Sequence, residues 1–220
     1  MNIRRLDFSD VKLYAVTPDV KDAASTLEVV AKLLSGGVDA VQLRSRTLTD
    51  REMVALGKKL QSMCKAASAL FIMDNRIDLA LAVDADGVHV GHTDLPVSFI
   101  REIFGHRKIV GVSTHSLPEA IQAQRDGADY VSCGPLWSTP TKPDTKPVGL
   151  PLAGLYHAAL KIPFVAIGGI DESNIGSVLN SGVSCVAIVR ALFGAVDPEE
   201  AAKKFKEKIL KAVIPAEAGI

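Results

Sequence analysis

A single-domain α/β protein built as a (β/α)8 TIM barrel is what this sequence predicts. Short apolar, β-branched runs alternate with longer stretches of helical periodicity. Eight such pairs fit within the 220 residues, and one short pattern recurs at the entry to every second run. The predicted strands are Lys12–Thr17, Ala40–Arg44, Leu70–Asp74, Gly87–Gly91, Lys108–Thr114, Tyr130–Leu136, Phe164–Gly168 and Cys185–Val189. Between and after them the spacing predicts helices over Leu27–Leu34, Asp50–Ala66, Ile77–Val83, Pro96–Phe104, Pro118–Arg125, Leu152–Leu160, Asn174–Asn180 and Pro198–Val213.

Local chemistry supports these boundaries. Pro96, Pro118 and Pro198 fall at first-turn positions, where a missing N–H costs little, and Thr49 with Asp50 can cap the second helix. Gly37, Gly127 and Gly182 follow helical stretches, as a left-handed helix end requires. The recurring pattern is Gly37-Val38-Asp39-Ala40-Val41, Asp84-Ala85-Asp86-Gly87-Val88, Gly127-Ala128-Asp129-Tyr130-Val131 and Gly182-Val183-Ser184-Cys185-Val186. Its copies stand roughly 43 to 55 residues apart, the span of two βα units, which favours four quarter-barrels over an open doubly wound sheet. The domain is expected to span residues 1–220, with an N-terminal extension (1–10) and a C-terminal tail (214–220).

Hydrophobic residues make up 48% of the chain and charged residues 23%, enough apolar surface for a sizeable core. The 25 Lys and Arg balance 25 Asp and Glu, so no broad basic field exists to condense on nucleic acid or an anionic membrane. Small molecules are therefore the expected partners, and any anion must be gripped locally. Three cysteines, Cys64, Cys133 and Cys185, lack zinc or disulfide spacing, which points to a reducing cytoplasm. Met1–Asp10 lacks an apolar leader core, and no apolar run is long enough to span a bilayer. A homo-oligomer is compatible with all of this.

Barrel enzymes work at the C-terminal ends of their strands, so polar residues there carry functional weight. The second strand ends Gln42-Leu43-Arg44-Ser45-Arg46, whose alternate residues share one side, bringing two guanidiniums together at the mouth. Their fork geometry suits pyrophosphate oxygens. Asp74 and Asn75 close the third strand, and Asp94 follows the fourth. Hard oxygen ligands on adjacent loops are what Mg²⁺ uses to grip a pyrophosphate, although Asp74 and Asp94 also suit helix capping. After the sixth strand, a Pro- and Thr-rich loop carrying Thr139, Thr141 and Lys142 reads as a lid, with Trp137 as its anchor. Gly168-Gly169 after the seventh strand, with Val189 and Arg190 at the end of the eighth, occupies the phosphate corner of such barrels. His115 follows the fifth strand, just after Ser113-Thr114, and so faces the mouth, while His89, mid-strand, is expected to pack.

Taken together, Gln42-x-Arg44-x-Arg46, Asp74-Asn75-Arg76, Asp94, Ser113, Thr139-x-Thr141-Lys142 and Gly168-Gly169 resemble the thiamine-phosphate synthase family, in order and spacing, over about residues 12 to 192. The resemblance implies a Mg²⁺-dependent transferase. It would join 4-amino-2-methyl-5-hydroxymethylpyrimidine diphosphate to a thiazole phosphate by a dissociative displacement that releases pyrophosphate. It further implies that Arg44, Arg46 and Lys142 neutralise the leaving group and that Gln42 and Ser113 orient the pyrimidine. Thr139, Thr141, Gly169, Val189 and Arg190 would hold the thiazole phosphate, with Asp74, Asn75 and Asp94 around the metal.

The chain departs from the family pattern at four matched positions. Asp74-Asn75 stands where Asn-Asp is usual, so the metal ligand and the pyrophosphate contact exchange places or weaken. Arg46 replaces a lysine, His92 a glutamine, and Arg190 a serine, where the guanidinium either clamps the phosphate or crowds it. Two other readings follow. The sister family of thiazole tautomerases would use His115 as proton shuttle, and a non-catalytic regulator would bind a phosphometabolite without turnover.

Overall fold

All eight expected strands form, and they close on themselves. The computed structural model describes residues 7–140 and 145–217, with side chains through Val213. The strands are β1 (Leu13–Val16), β2 (Ala40–Leu43), β3 (Leu70–Asp74), β4 (Gly87–Val90), β5 (Ile109–Thr114), β6 (Tyr130–Cys133), β7 (Phe164–Ile167) and β8 (Val186–Ile188). Each pairs in parallel with the next, and β1 pairs with β8 to seal the cylinder, Leu13 opposite Val186.

The helices are α1 (Ala23–Ser35), α2 (Asp50–Ala66), α3 (Ile77–Ala82), α4 (Val97–Phe104), α5 (Leu117–Arg125), α6 (Gly149–Ala159), α7 (Ile175–Asn180), α8 (Arg190–Phe193) and α9 (Pro198–Glu217). Thr49 caps α2 in a reciprocal box with Glu52, and Ser116 caps α5. Gly37, Gly127 and Gly182 take the positive φ expected of them. Of the boundaries that differ from expectation, two have plain local reasons. α1 begins four residues earlier than Leu27, because the Asp22 carboxylate accepts from Ala24 and Ser25 N–H and starts a turn before the apolar stripe does. β6 ends at Cys133 rather than Leu136, where Gly134 packs so closely on Ile167 that a Cβ has no room. Among the described residues no helix is long and apolar enough to cross a membrane. Cys64, Cys133 and Cys185 are buried and unbridged, and burial pushes the Cys64 and Cys133 thiols up to about 12.

Strand alternation sorts the core into two bodies. Leu13, Ala15, Val41, Leu43, Phe71, Val88 and Val131 point outward into the layer between sheet and helices. Tyr14, Val16, Ala40, Ile72, Ile109, Tyr130, Val165 and Ala187 fill the lumen. A 3-10 turn before β1 (Phe8–Asp10) inserts Phe8 into that lumen, stacked on the Tyr130 ring at 3.6 Å. Toward the C-terminal mouth the lumen-facing positions turn polar.

The recurring pattern has a structural meaning at the opposite end. Asp39 Oδ2 accepts from the N–H groups of Lys12 and Leu13, each at 2.9 Å. Asp86 Oδ2 accepts from Phe71 N–H and Asp129 Oδ2 from Val110 N–H, both at 2.7 Å. Each carboxylate, sitting just before an even-numbered strand, clasps the start of the odd-numbered strand beside it. Asp39 also pairs with Lys206 and Asp129 with Arg101, so neither charge is left alone.

Gly111 in β5 is where the Tyr130 ring reaches the barrel centre: a Cβ there would collide with the phenol. Gly111→Ala is therefore expected to destabilise the fold by about 1–3 kcal/mol through overpacking, read by urea denaturation. An unchanged midpoint would show that the ring moves aside freely.

Candidate active site

Above the apolar lumen lies a cavity of about 760 Å³, ringed by the strand ends and βα loops. All the described candidate residues line it. Thr141 and Lys142 lie outside the described residues, while Thr139 and Thr145, flanking them, both reach the cavity wall.

From β2, Gln42 and Arg44 are buried and Arg46 is exposed at the rim. Thr17 fixes the Arg44 backbone from both sides, its Oγ1 accepting from Arg44 N–H at 2.8 Å and donating to Arg44 O at 3.0 Å. The Arg44 side chain, only 8% exposed as a residue, has among the described residues one carboxylate within 4 Å, Asp74 Oδ2 at 3.8 Å from Nε. That separation is an ion pair without a hydrogen bond, so the guanidinium donors stay open to the cavity. The Arg46 backbone is held by Asp19 Oδ1 at 2.6 Å.

Neither Asp74 nor Asp94 caps a helix: α3 and α4 begin with no side-chain cap, which removes the capping role their positions suggested. Asp94 Oδ2 instead accepts from Gly91 N–H at 2.7 Å. The Asn75 amide, on a backbone of φ +59°, ends 3.0 Å from Asp94 Oδ2 and 3.3 Å from the His89 carbonyl. With its nitrogen turned toward them, the amide donates to both. Asp74, Asn75 and Asp94 line one cavity on neighbouring loops, and two carboxylates beside an amide are the hard donor chemistry that suits Mg²⁺. Arg76, part of the same motif, is committed elsewhere: it forks to Asp50 at 2.7 and 2.9 Å and also bonds Asp78, tying α2 to α3.

At the phosphate corner Gly168 and Gly169 adopt φ +101° and +70°. A Cβ on Gly169 would press on Trp137 and one on Gly168 on Pro135, so the double glycine serves both the turn and the close seating of Pro135 and Trp137. Trp137 is half-buried against the core, and its backbone N–H donates to Gly168 O at 3.1 Å. Asn174 clamps the turn with Nδ2 on Gly169 O at 2.8 Å. Across from it, Val189 and the exposed Arg190 open α8.

His115 lies on the cavity wall with Nδ1 2.5 Å from the Gly134 carbonyl; a carbonyl only accepts, so that nitrogen carries the proton. Tyr14 and Ser132, which the sequence did not single out, also face the cavity, and so does His89. His89 is buried as expected, but its ring bonds both Tyr130 and Ser113 instead of only packing. Its mid-strand position on the lumen-facing side, in register with Asp74, was the available signal.

Cationic donors, hard oxygen ligands and a double-glycine turn around one deep mouth define the class: a barrel enzyme for phosphorylated small molecules. A family model described as thiamine monophosphate synthase matches residues 13–192. The thiamine-phosphate synthase of Chlorobium luteolum is 45% identical over 180 residues, 81% of this chain and 85% of that protein. That of Moorella thermoacetica is 42% identical over 202 residues, 91% of this chain and 96% of that protein. Among solved structures, the thiamine phosphate pyrophosphorylase from Pyrococcus furiosus superposes with a TM-score of 0.84 at 37% identity, over 92% of this chain and 97% of that one. The chain belongs to the thiamine monophosphate synthase family.

Proposed function

We propose that this chain joins 4-amino-2-methyl-5-hydroxymethylpyrimidine diphosphate to a thiazole phosphate, forming thiamine phosphate and pyrophosphate. The observation that carries the reading is Arg44: a buried guanidinium whose donors open on the same cavity as Asp94 and the Gly168-Gly169 turn. A buried cation is costly unless an anion meets it, and a departing pyrophosphate is such an anion.

In the proposed reaction the C–O bond to pyrophosphate breaks first, and the electron-rich aminopyrimidine carries the resulting methylene cation. The thiazole nitrogen then closes the new C–N bond. Arg44 and Arg46, with Lys142 from the lid, take up the charge gathering on the leaving group. Gln42 and Ser113 orient the pyrimidine. Thr139, Thr141, Gly169 and the backbone at Val189, with the Arg190 side chain, hold the thiazole phosphate so that its nitrogen faces the cation. Fixing two reactants this way supplies roughly 7–11 kcal/mol. Asp94, with Asn75 and Asp74, would hold Mg²⁺, which when bound supplies Lewis-acid neutralisation of pyrophosphate oxygens, worth several kcal/mol. We place the reaction in the cytoplasm, with small molecules as the protein's partners.

Incubation with both substrates and Mg²⁺ is expected to release pyrophosphate and yield thiamine phosphate. Isomerisation of a thiazole carboxylate alone, with His115 as the shuttle, would overturn the reading in favour of the tautomerase. Binding without turnover of either would overturn it in favour of the regulator.

A further inference from the structure

Five side chains from five strands form one continuous line of hydrogen bonds across the barrel, along the floor of the cavity. Gln42 Nε2 donates to the Tyr14 hydroxyl at 2.9 Å, and the Tyr14 and Tyr130 hydroxyls lie 3.2 Å apart. The Tyr130 hydroxyl is 2.9 Å from His89 Nδ1, and His89 Nε2 is 3.0 Å from Ser113 Oγ. Gln42, Tyr14, His89 and Ser113 all reach the cavity wall, whereas Tyr130, at the centre, is completely buried and does not. Phe8, stacked on the Tyr130 ring, and Gly111, whose missing side chain leaves room for its phenol end, set that ring at the centre of the line.

Each hydroxyl has one proton to give, so the line has a direction. Tyr14 receives the Gln42 N–H and passes its own proton to Tyr130, which donates in turn to His89 Nδ1. A neutral His89 then carries its proton on Nε2 and gives it to Ser113 Oγ. The Ser113 proton is left for the cavity. At the other end Gln42 Oε1 has no hydrogen bond among the described residues and meets the cavity as an acceptor. Reversing either end requires turning the Gln42 amide over and reversing every bond between, so the two ends switch only together. Burial pushes both phenols far above their ordinary value, so they remain donors.

We propose that Tyr14, Tyr130 and His89 are positioning residues that lock the polarity of the pyrimidine subsite, with an acceptor at Gln42 and a donor at Ser113. The inference rests on the proposed function for the identity of the ligand. A 4-aminopyrimidine has an exocyclic N–H to give and a ring nitrogen to receive, the complementary pair. A pyrimidine with an oxo group in place of the amine turns an oxygen toward the Gln42 oxygen and leaves both unpaired. The relay is therefore a device for selecting amino over oxo pyrimidines.

Tyr130→Phe cuts the line at its centre without touching substrate. It is expected to raise KM for the pyrimidine diphosphate about tenfold, the worth of one hydrogen bond, and to lower discrimination against the 4-oxo analogue by about as much. KM for the thiazole phosphate should stay within about twofold. In the Ser113→Ala background the same change should add nothing further. Tyr14→Phe cuts the line one bond away and serves where Tyr130→Phe folds poorly. Nitrogen NMR should find His89 in the Nε2–H tautomer, shifting toward a mixture in Tyr130→Phe. Equal effects on both substrates, unaltered amino/oxo selectivity, additivity with Ser113→Ala, or an Nδ1–H tautomer would each overturn the relay. If the native protein releases no pyrophosphate, the proposed function fails, while the His89 tautomer and its response to Tyr130→Phe still decide the relay.

Discussion

Arg44→Ala should lower turnover by at least tenfold, and by about 10²–10³-fold if the guanidinium meets the leaving group as directly as a transition-state donor does. Two effects add. The variant loses charge-assisted bonds to pyrophosphate, and it removes a positive charge 3.8 Å from Asp74, which makes the site less favourable to an anion. The fold should survive, because the side chain bonds no other residue among those described and Thr17 holds only the Arg44 backbone. Steady-state kinetics beside a thermal melt make the check, and wild-type kinetics would remove Arg44 from the site. Arg44→Lys should recover only part of the loss, since an ammonium cannot fork to two oxygens.

Asp94→Ala should cost turnover about 10²-fold or more and raise the Mg²⁺ concentration needed for half-maximal rate. Asp94 is the carboxylate that meets both the Asn75 amide and Gly91 N–H, so its removal takes away the charge and loosens the loop that presents it. A Mg²⁺ titration of pyrophosphate release separates the two. A lower maximal rate with an unshifted Mg²⁺ midpoint would assign Asp94 to the loop alone and move the metal elsewhere.

Much of the barrel was readable because parallel strands buried on both faces are written as plain apolar runs, and β3 and α2 were bounded to the residue. Where the reading failed, side-chain chemistry overrode hydrophobic period. α1 starts on the polar stretch Ala23-Ala24-Ser25-Thr26, where Asp22 capping and the Thr26 hydroxyl on Asp22 O outweigh the absence of an apolar stripe. α6 starts at Gly149 rather than Leu152, across a Gly-Leu-Pro that reads as loop. α8, four residues long, is too short to show a period.

The rim residues were legible because strand ends are fixed by the pattern, so Arg44, Asp94, Ser113 and Gly169 could be placed at the mouth from position alone. The buried line through Tyr14, Tyr130 and His89 was not. Tyr14 and Tyr130 are separated by 116 positions and meet only when β1 and β6 face each other across a closed lumen. An apolar run does not reveal which of its alternate residues turn inward.

The clasping carboxylates Asp39, Asp86 and Asp129 have a bearing on how such a molecule changes over time. In a closed cylinder a one-residue slip of any strand would exchange its inside and outside residues, carrying Gln42 or Ser113 out of the lumen. Alignment is pinned at the far end from the chemistry, so side chains at the mouth, Arg46, His92 and Arg190 among them, can be exchanged without putting the staves out of step. Novelty at one end is tolerated because bookkeeping of alignment is done at the other.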